Sequence, residues 1–408
     1  MEPRSTRLAI VLVTGLFFLW ALAHNLNPIL IPHLRRALQL NDMRSALVDS
    51  AFFIAYFVMA LPAGALMKRF GYRSGIVGGL LLFALGAMLF WPAATLRSYP
   101  FFLGALFVIA SGLTFLETAA NPYITALGDP AHAHRRLNFA QAFNGLGAAL
   151  AAFFGGRFIL SGDAPSEDVL KAMSPPALEA FLTHEALAVR VPYLIIGCIV
   201  LLVALLFLRA HLPEIPEADN GDNKGSSRLT GRLRMGALAQ FCYVGAQVGV
   251  ASFFIRFAGK TAGIVEQDAA YLLSIGLLLF MAGRFIGTAL LRWFSAPNLL
   301  ATCAALCLLL TATAVLATGY PAVIALLGVE LFMSIMFPTI FSLSIEGLGS
   351  RTKFGSSLLV MSIVGGAVIP PIMGAISDRH GLQLAYLAPL CCFVVVLWFA
   401  RWARSVKG

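Results

Sequence analysis

Charge is what this sequence lacks. Only 12% of its 408 residues are Asp, Glu, Lys or Arg, about half the density of a soluble domain, while 59% are hydrophobic and the mean hydropathy is +0.85. Water cannot be the main solvent for such a surface, so the lipid bilayer is. Acids are the scarcer sign, 19 against 29 Lys and Arg. The basic residues are not gathered into a domain but sit at the ends of apolar runs, which speaks against nucleic acid and for loops beside anionic lipid. Metal-binding patterns are missing too. The six cysteines (Cys198, Cys242, Cys303, Cys307, Cys391 and Cys392) all lie in apolar runs; Cys303 and Cys307 are one turn apart, but no His or further Cys completes a site. They read as small apolar filler, and no cofactor is implied. No nucleophile–base pair supports a membrane enzyme. The run behind Arg4 and Arg7 is too long for a signal peptide and lacks a small-residue cleavage site, so it reads as a retained helix.

What is present is one pattern repeated: apolar runs of roughly 20 residues, the length that crosses the hydrocarbon. They fall at about 8–34, 44–68, 72–95, 99–127, 135–161, 190–212, 233–258, 267–292, 297–318, 320–346, 353–378 and 382–404. Two connections are longer. One, about 162–189, holds Asp163, Glu167, Asp168, Glu179 and Glu185. The other, 213–232, is rich in Gly, Ser and Asn and reads as a flexible linker between an N-terminal bundle (1–212) and a C-terminal bundle (233–408) of six spans each. With the N-terminus inside, inner loops and termini hold about 18 of the 29 Lys and Arg and outer loops about 10. Both termini and the linker are therefore expected in the cytoplasm.

This six-plus-six layout is the plan of the major facilitator superfamily, in which substrate binds near the midplane between the halves. The loop Gly64-Ala65-Leu66-Met67-Lys68-Arg69-Phe70-Gly71-Tyr72-Arg73 resembles that superfamily's motif G-x-L-x-D-R-x-G-R-R/K, with Lys68 where the motif has Asp. Lys68, Arg69 and Arg73 are expected to pair with helix ends and hold an inward gate. Ordinary positive-inside charge would explain these bases but not the glycines.

Polar side chains at membrane depth need a partner or a wet cavity, so they mark the candidate site. Glu117 and Asn121 share one face of the fourth span. Asn138, Gln141 and Asn144 follow at three-residue spacing on the fifth. Glu117 and Asn144 are each about thirteen residues from the middle of the 4–5 loop, hence at similar depth. A carboxylate and amides facing each other would serve sugar hydroxyls and carry a proton; a structural hydrogen-bond cluster between two helices is the competing account. Trp20, His24 and Asn27 share a face of the first span, where Pro28 should kink the helix and free a carbonyl. Gln240, Tyr243 and Gln247 on the seventh span, and Phe337 and Phe341 on the tenth, are candidate cavity residues from the second half. Arg284 and Glu330, the strong charges inside that half, are expected to form a structural ion pair.

At Gly112-Leu113-Thr114-Phe115-Leu116-Glu117-Thr118-Ala119-Ala120-Asn121-Pro122 the sequence resembles the L-fucose permease branch of the superfamily, the fucose–galactose–glucose:proton symporters. The likeness continues through 136–144, 168–175, 238–247 and 337–343. It implies an all-α membrane protein with twelve transmembrane helices in two six-helix bundles, the major facilitator fold. It also implies proton-coupled uptake of a hexose or deoxyhexose across the bacterial inner membrane, with L-fucose first and galactose, glucose, mannose or an amino sugar open. By the same resemblance Glu117 is the proton-coupling acid, and Gln141 and Asn144 contact sugar. The family's second carboxylate, on helix 1, is here Pro28. Asp49, about ten residues from the middle of the 1–2 loop as Pro28 is, either takes over that role or sits among headgroups. A sodium-coupled hexose carrier, with Asp49 and carbonyls freed by Pro28 as cation ligands, is one alternative; an exporter of another small molecule on the same fold is a second. The unit is expected to work as a monomer, with sugar, proton and bilayer as partners.

Overall fold

The computed structural model describes residues 6–21, 37–39, 42–158, 172–210, 212–213 and 226–405, nearly all of them helical. In chain order these are α1 (Thr6–Ala21), α2 (Asp42–Thr95), α3 (Tyr99–Ala126), α4 (Ala133–Phe158), α5 (Pro175–Ala188), α6 (Arg190–Arg209) and α7 (Ser226–Ala262). They continue with α8 (Glu266–Leu290), α9 (Ala296–Leu316), α10 (Tyr320–Met333), α11 (Met336–Ile345), α12 (Thr352–Met361), α13 (Gly365–His380) and α14 (Leu387–Ser405).

Length decides how α2 is read. Its apolar part, Ala51–Thr95, has 45 residues. At about 1.5 Å per residue this is more than twice a ~30 Å hydrocarbon core, so it makes two crossings. They join at Gly71, whose φ of 81° and ψ of 174° lie outside helical space. A side chain there would be strained, which accounts for this glycine of the loop motif. Among the described residues nine helices are long and apolar enough to span a bilayer. The second crossing in α2, the short apolar α1 and the polar-faced α4 bring the crossings to the twelve expected.

Two local expectations need correction. The segment 162–189 was expected to be a plain connection, yet Pro175–Ala188 is the helix α5. Its Pro-Pro start suits the first turn, its interior favours helix, and Leu182, Glu185 and Ala186 are buried. Arg97, from the α2–α3 turn, pairs with Glu179 on it. The linker expected over 213–232 also ends sooner: α7 is helical from Ser226, because the run from Ser226 to Arg232 holds no proline to stop it.

Prolines inside spans release carbonyls that side chains of other helices then take up, in one case across the two six-helix halves. Pro122 in α3 cannot donate to Thr118, and the Thr118 carbonyl instead accepts from Ser356 Oγ of α12 at 2.7 Å. Pro338 in α11 likewise leaves the Ser334 carbonyl free at the break between α10 and α11; it accepts from Arg284 Nε at 3.2 Å. Further bonds join the halves at the end of the bundle carrying the Gly71 turn and the linker: His134 Nδ1 meets Ser342 Oγ at 2.7 Å, and Asn138 Nδ2 donates to Thr339 Oγ1 at 3.3 Å. At this end a Cβ placed on Gly64 would overlap Ser357 Oγ and lie 3.2 Å from Ser357 Cβ, so only glycine allows α2 and α12 so close. Among the described residues, every side-chain hydrogen bond between the halves lies at this end or at mid-bundle.

Of the loop bases, Arg73 donates to the carbonyls of Phe207 and Leu208 and so caps the last turn of α6. Arg69 is exposed and lies over the Phe70 ring at 5.0 Å. Lys68 lines a cavity of about 630 Å³ between α2 and α12, together with Arg351 and Lys353.

Candidate functional site

The middle of the bundle holds a connected polar chain. Glu117 on α3 is 5% exposed, with Tyr56 of α2 beside it and Asn121 one turn along α3. Asn121 Oδ1 accepts from Gln141 Nε2 of α4 at 3.2 Å. The Arg284 guanidinium of α8 then crosses from the other half. Its Nη1 donates to the Gln141 carbonyl at 2.6 Å, to Gln141 Oε1 at 3.4 Å and to Asn144 Oδ1 at 3.1 Å. It also lies over the Phe280 ring at 4.7 Å and within Coulomb range of Glu117. Asn144 Nδ2 donates to the Phe17 carbonyl of α1 at 3.4 Å. One polar row thus runs from a buried acid, past two amides, to a buried cation on the opposite half, which also holds a third amide, Asn144.

Arg284 does not pair with Glu330. Glu330 is 2% exposed, and its Oε1 has no hydrogen-bond partner. It lies instead within Coulomb reach of Tyr243, Cys307 and Tyr386. The expected ion pair is lost because Arg284 points out of its own bundle, toward acceptors that α4 and the Ser334 break offer it.

Several polar atoms in this region are buried without any protein partner: Asn121 Nδ2, Asn138 Oδ1, both amide atoms of Gln240, and the Tyr243 hydroxyl. Each such group costs about 1–3 kcal/mol unless something polar meets it. A site that takes a ligand of many hydroxyls would carry such a set. Tyr243 stands edge-on to Phe337, 6.4 Å between ring centres, and Phe337 stacks with Phe341 at 6.4 Å. Trp20 is 5% exposed and packs on Phe17 at 4.7 Å. Gln247 is half-buried on α7. His24, Asn27 and Pro28 lie outside the described residues, as does the side chain of Asp49, whose backbone belongs to α2. Sequence reasoning missed Tyr56. Its signal was a hydroxyl-tipped ring inside an otherwise apolar span.

This geometry can be set beside known proteins. The chain matches the Major Facilitator Superfamily over residues 12–362. It is 46% identical to the L-fucose-proton symporter of Escherichia coli (strain K12), covering 98% of this chain and 94% of that protein. It is 43% identical to the glucose/galactose transporter of Brucella abortus biovar 1 (strain 9-941), covering 96% of this chain and 93% of that protein. In structure it matches the crystal structure of the superfamily transporter FucP in the outward conformation, with a TM-score of 0.90 at 44% identity, covering 98% of this chain and 99% of that one. These relatives are transporters, not enzymes. By its sequence, its fold and its relatives, this chain belongs to the Major Facilitator Superfamily.

Proposed function

We propose that this protein takes up a hexose or deoxyhexose together with a proton, by alternating access of a site between its two six-helix halves. The observation that carries the reading is the chain from Glu117 through Asn121 and Gln141 to Arg284 and Asn144, flanked by buried amide and hydroxyl groups without protein partners. Amides and a tyrosine hydroxyl both donate and accept, as sugar hydroxyls require. A carboxylate at this depth is costly when charged and cheap when protonated, so protonation of Glu117 permits the halves to swing with sugar bound, and deprotonation on the other side resets them. L-fucose is our first candidate, because the E. coli relative named as its symporter has the higher identity of the two. Sodium coupling is not favoured: the relative at 46% identity is a proton symporter.

The excess of Lys and Arg on the linker side puts both termini in the cytoplasm. The closed end, with His134–Ser342, Asn138–Thr339 and Ser356–Thr118, then faces inward, which makes this the outward-facing form. We take the monomer as the working unit. The test is sugar transport by Glu117→Gln in proteoliposomes. A permanently neutral residue 117 should keep sugar counterflow and lose accumulation driven by an acid-outside gradient. Accumulation that survives the substitution would remove Glu117 from coupling.

A further inference from the structure

At the linker end, the seam between α4 and α8 opens into a cavity of about 440 Å³, separate from the sugar site. Its walls come from both halves: His132, Arg135, Arg136 and Phe139 on one side, Phe285 and Arg292 on the other. The charge there is one-sided. α4 contains no acid, and the two acids of α8 lie in its first turn at the opposite end. The acid on the adjoining loop, Asp129, is turned to the Ala131 N–H at 2.9 Å and to His132 Nδ1 at 3.0 Å. That backbone N–H, with His132 and Arg136 nearby, holds its carboxyl below the usual carboxylate range.

The three arginines are not equivalent. Arg136 is occupied in capping α3, donating to the carbonyls of Ile124 at 3.2 Å, Thr125 at 2.7 Å and Asp129 at 2.6 Å. The side chains of Arg135 and Arg292 have neither a hydrogen-bond nor an ion-pair partner among the described residues. Deeper along the seam the lining turns aromatic. Phe139 and Phe143 follow Arg135 at one-turn spacing, with rings 5.3 Å apart, and Phe143 meets Phe285 of α8 at 6.5 Å. Phe139 and Phe285 remain 44% and 42% exposed. A basic mouth above an apolar wall suits an amphiphile with an anionic head. Free phosphate or a phosphorylated solute gains nothing from the wall.

We infer that this seam holds an anionic phospholipid, its headgroup phosphate between Arg135 and Arg292 and one acyl chain along Phe139, Phe143 and Phe285. Basic pockets between spans on the cytoplasmic side attract such headgroups. The two free arginines sit on opposite halves, so the lipid spans the seam only while this end is closed. On the alternating-access reading above, it therefore favours the outward-facing form.

Binding can be tested apart from transport. The full-length protein, extracted in detergent and titrated with phosphatidylglycerol, is followed by native mass spectrometry against phosphatidylcholine, with inorganic phosphate as the soluble arm. Phosphatidylglycerol should be retained about tenfold more than phosphatidylcholine. Arg135→Gln/Arg292→Gln should abolish that preference. Arg135→Lys/Arg292→Lys should keep most of it, and Arg209→Gln, an arginine ending α6, should keep all of it. Equal retention of both lipids, equal loss in the Arg209 control, or competition by millimolar phosphate as strong as by lipid would each overturn the inference. Because the readout is bound lipid, a failed sugar-uptake assay would leave this result standing.

Discussion

The closed end depends on how near α2 and α12 come, and Gly64→Ala probes that directly. In the closed form the added methyl overlaps Ser357 Oγ, which donates to the Lys353 carbonyl at 3.0 Å. Rotating the hydroxyl away forfeits that bond, about 1 kcal/mol. The methyl would still lie 3.2 Å from Ser357 Cβ and 3.4 Å from the Lys353 carbonyl, so the helices must also separate slightly. Overpacking of this kind costs about 1–3 kcal/mol in total. It acts only while α2 touches α12, so it opposes closure and leaves the fold of each half alone. At tenfold per 1.4 kcal/mol, a 2 kcal/mol penalty shifts the closed-to-open ratio about 30-fold.

The assay is maleimide labelling of Thr118→Cys in purified protein whose exposed cysteines, Cys198 and Cys391, are replaced by Ser. Thr118 is fully buried, and its carbonyl is held by Ser356 across the closed contact. Labelling therefore waits on opening of this end. Gly64→Ala should speed it by about tenfold or more, and Gly64→Ala/Ser357→Ala, which removes the clashing oxygen, should return it to within about threefold of the parent. If Gly64→Ala labels at the parent rate, or if the double variant stays as fast as the single, the close approach of these helices is not what holds the end shut.

Two further substitutions separate ligand recognition from stability. Gln240→Leu removes two buried amide atoms that have no protein partner, so thermal stability without sugar should hold or rise while sugar affinity falls about tenfold; a loss of stability with unchanged affinity would mean that Gln240 serves packing. Arg73→Ala strips the cap from α6, leaving the Phe207 and Leu208 carbonyls unmet, and should lower stability by about 1–2 kcal/mol in a thermal-shift assay with affinity unchanged.

The crossings were legible because the bilayer sets a run length, and the Gly71 turn because the loop motif points to a backbone only glycine adopts easily. That Asn121 and Gln141 face each other was legible in the helical periodicity of two consecutive spans, whereas Asn144, expected opposite Glu117 from equal depth, meets Arg284 and the Phe17 carbonyl. Three features were not. α5 is a short helix in a loop otherwise marked by acids, where no span-length run announces it. The break between α10 and α11 falls in an apolar stretch that reads as continuous; only Pro338 hinted at it, and a proline does not say which group will take the carbonyl it frees. The direction of Arg284 was out of reach altogether. Periodicity placed it in the same half as Glu330, but a long side chain chooses among acceptors set by how the two halves pack.

That choice gives Arg284 two separable roles. Its fork reaches the Gln141 carbonyl and Oε1, Asn144 Oδ1 and the Ser334 carbonyl, which orients the two amides proposed to hold sugar. Its charge lies within Coulomb range of Glu117, the acid proposed to carry the proton. Lysine would keep the charge and lose the fork, since an ammonium is a point donor that cannot serve acceptors on two helices in a fixed plane. Methionine would lose both. Arg284→Lys should therefore weaken sugar binding about tenfold while the pH dependence of uptake keeps its shape. Arg284→Met should weaken binding as much and also move the pH profile, because Glu117 no longer faces a cation that favours its ionised form. Titrating sugar binding by tryptophan fluorescence, with uptake measured from pH 5 to pH 9, resolves the two effects. Identical pH profiles for the lysine and methionine variants would show that the charge of Arg284 does not reach Glu117 in function, and that its part is to hold the amides alone.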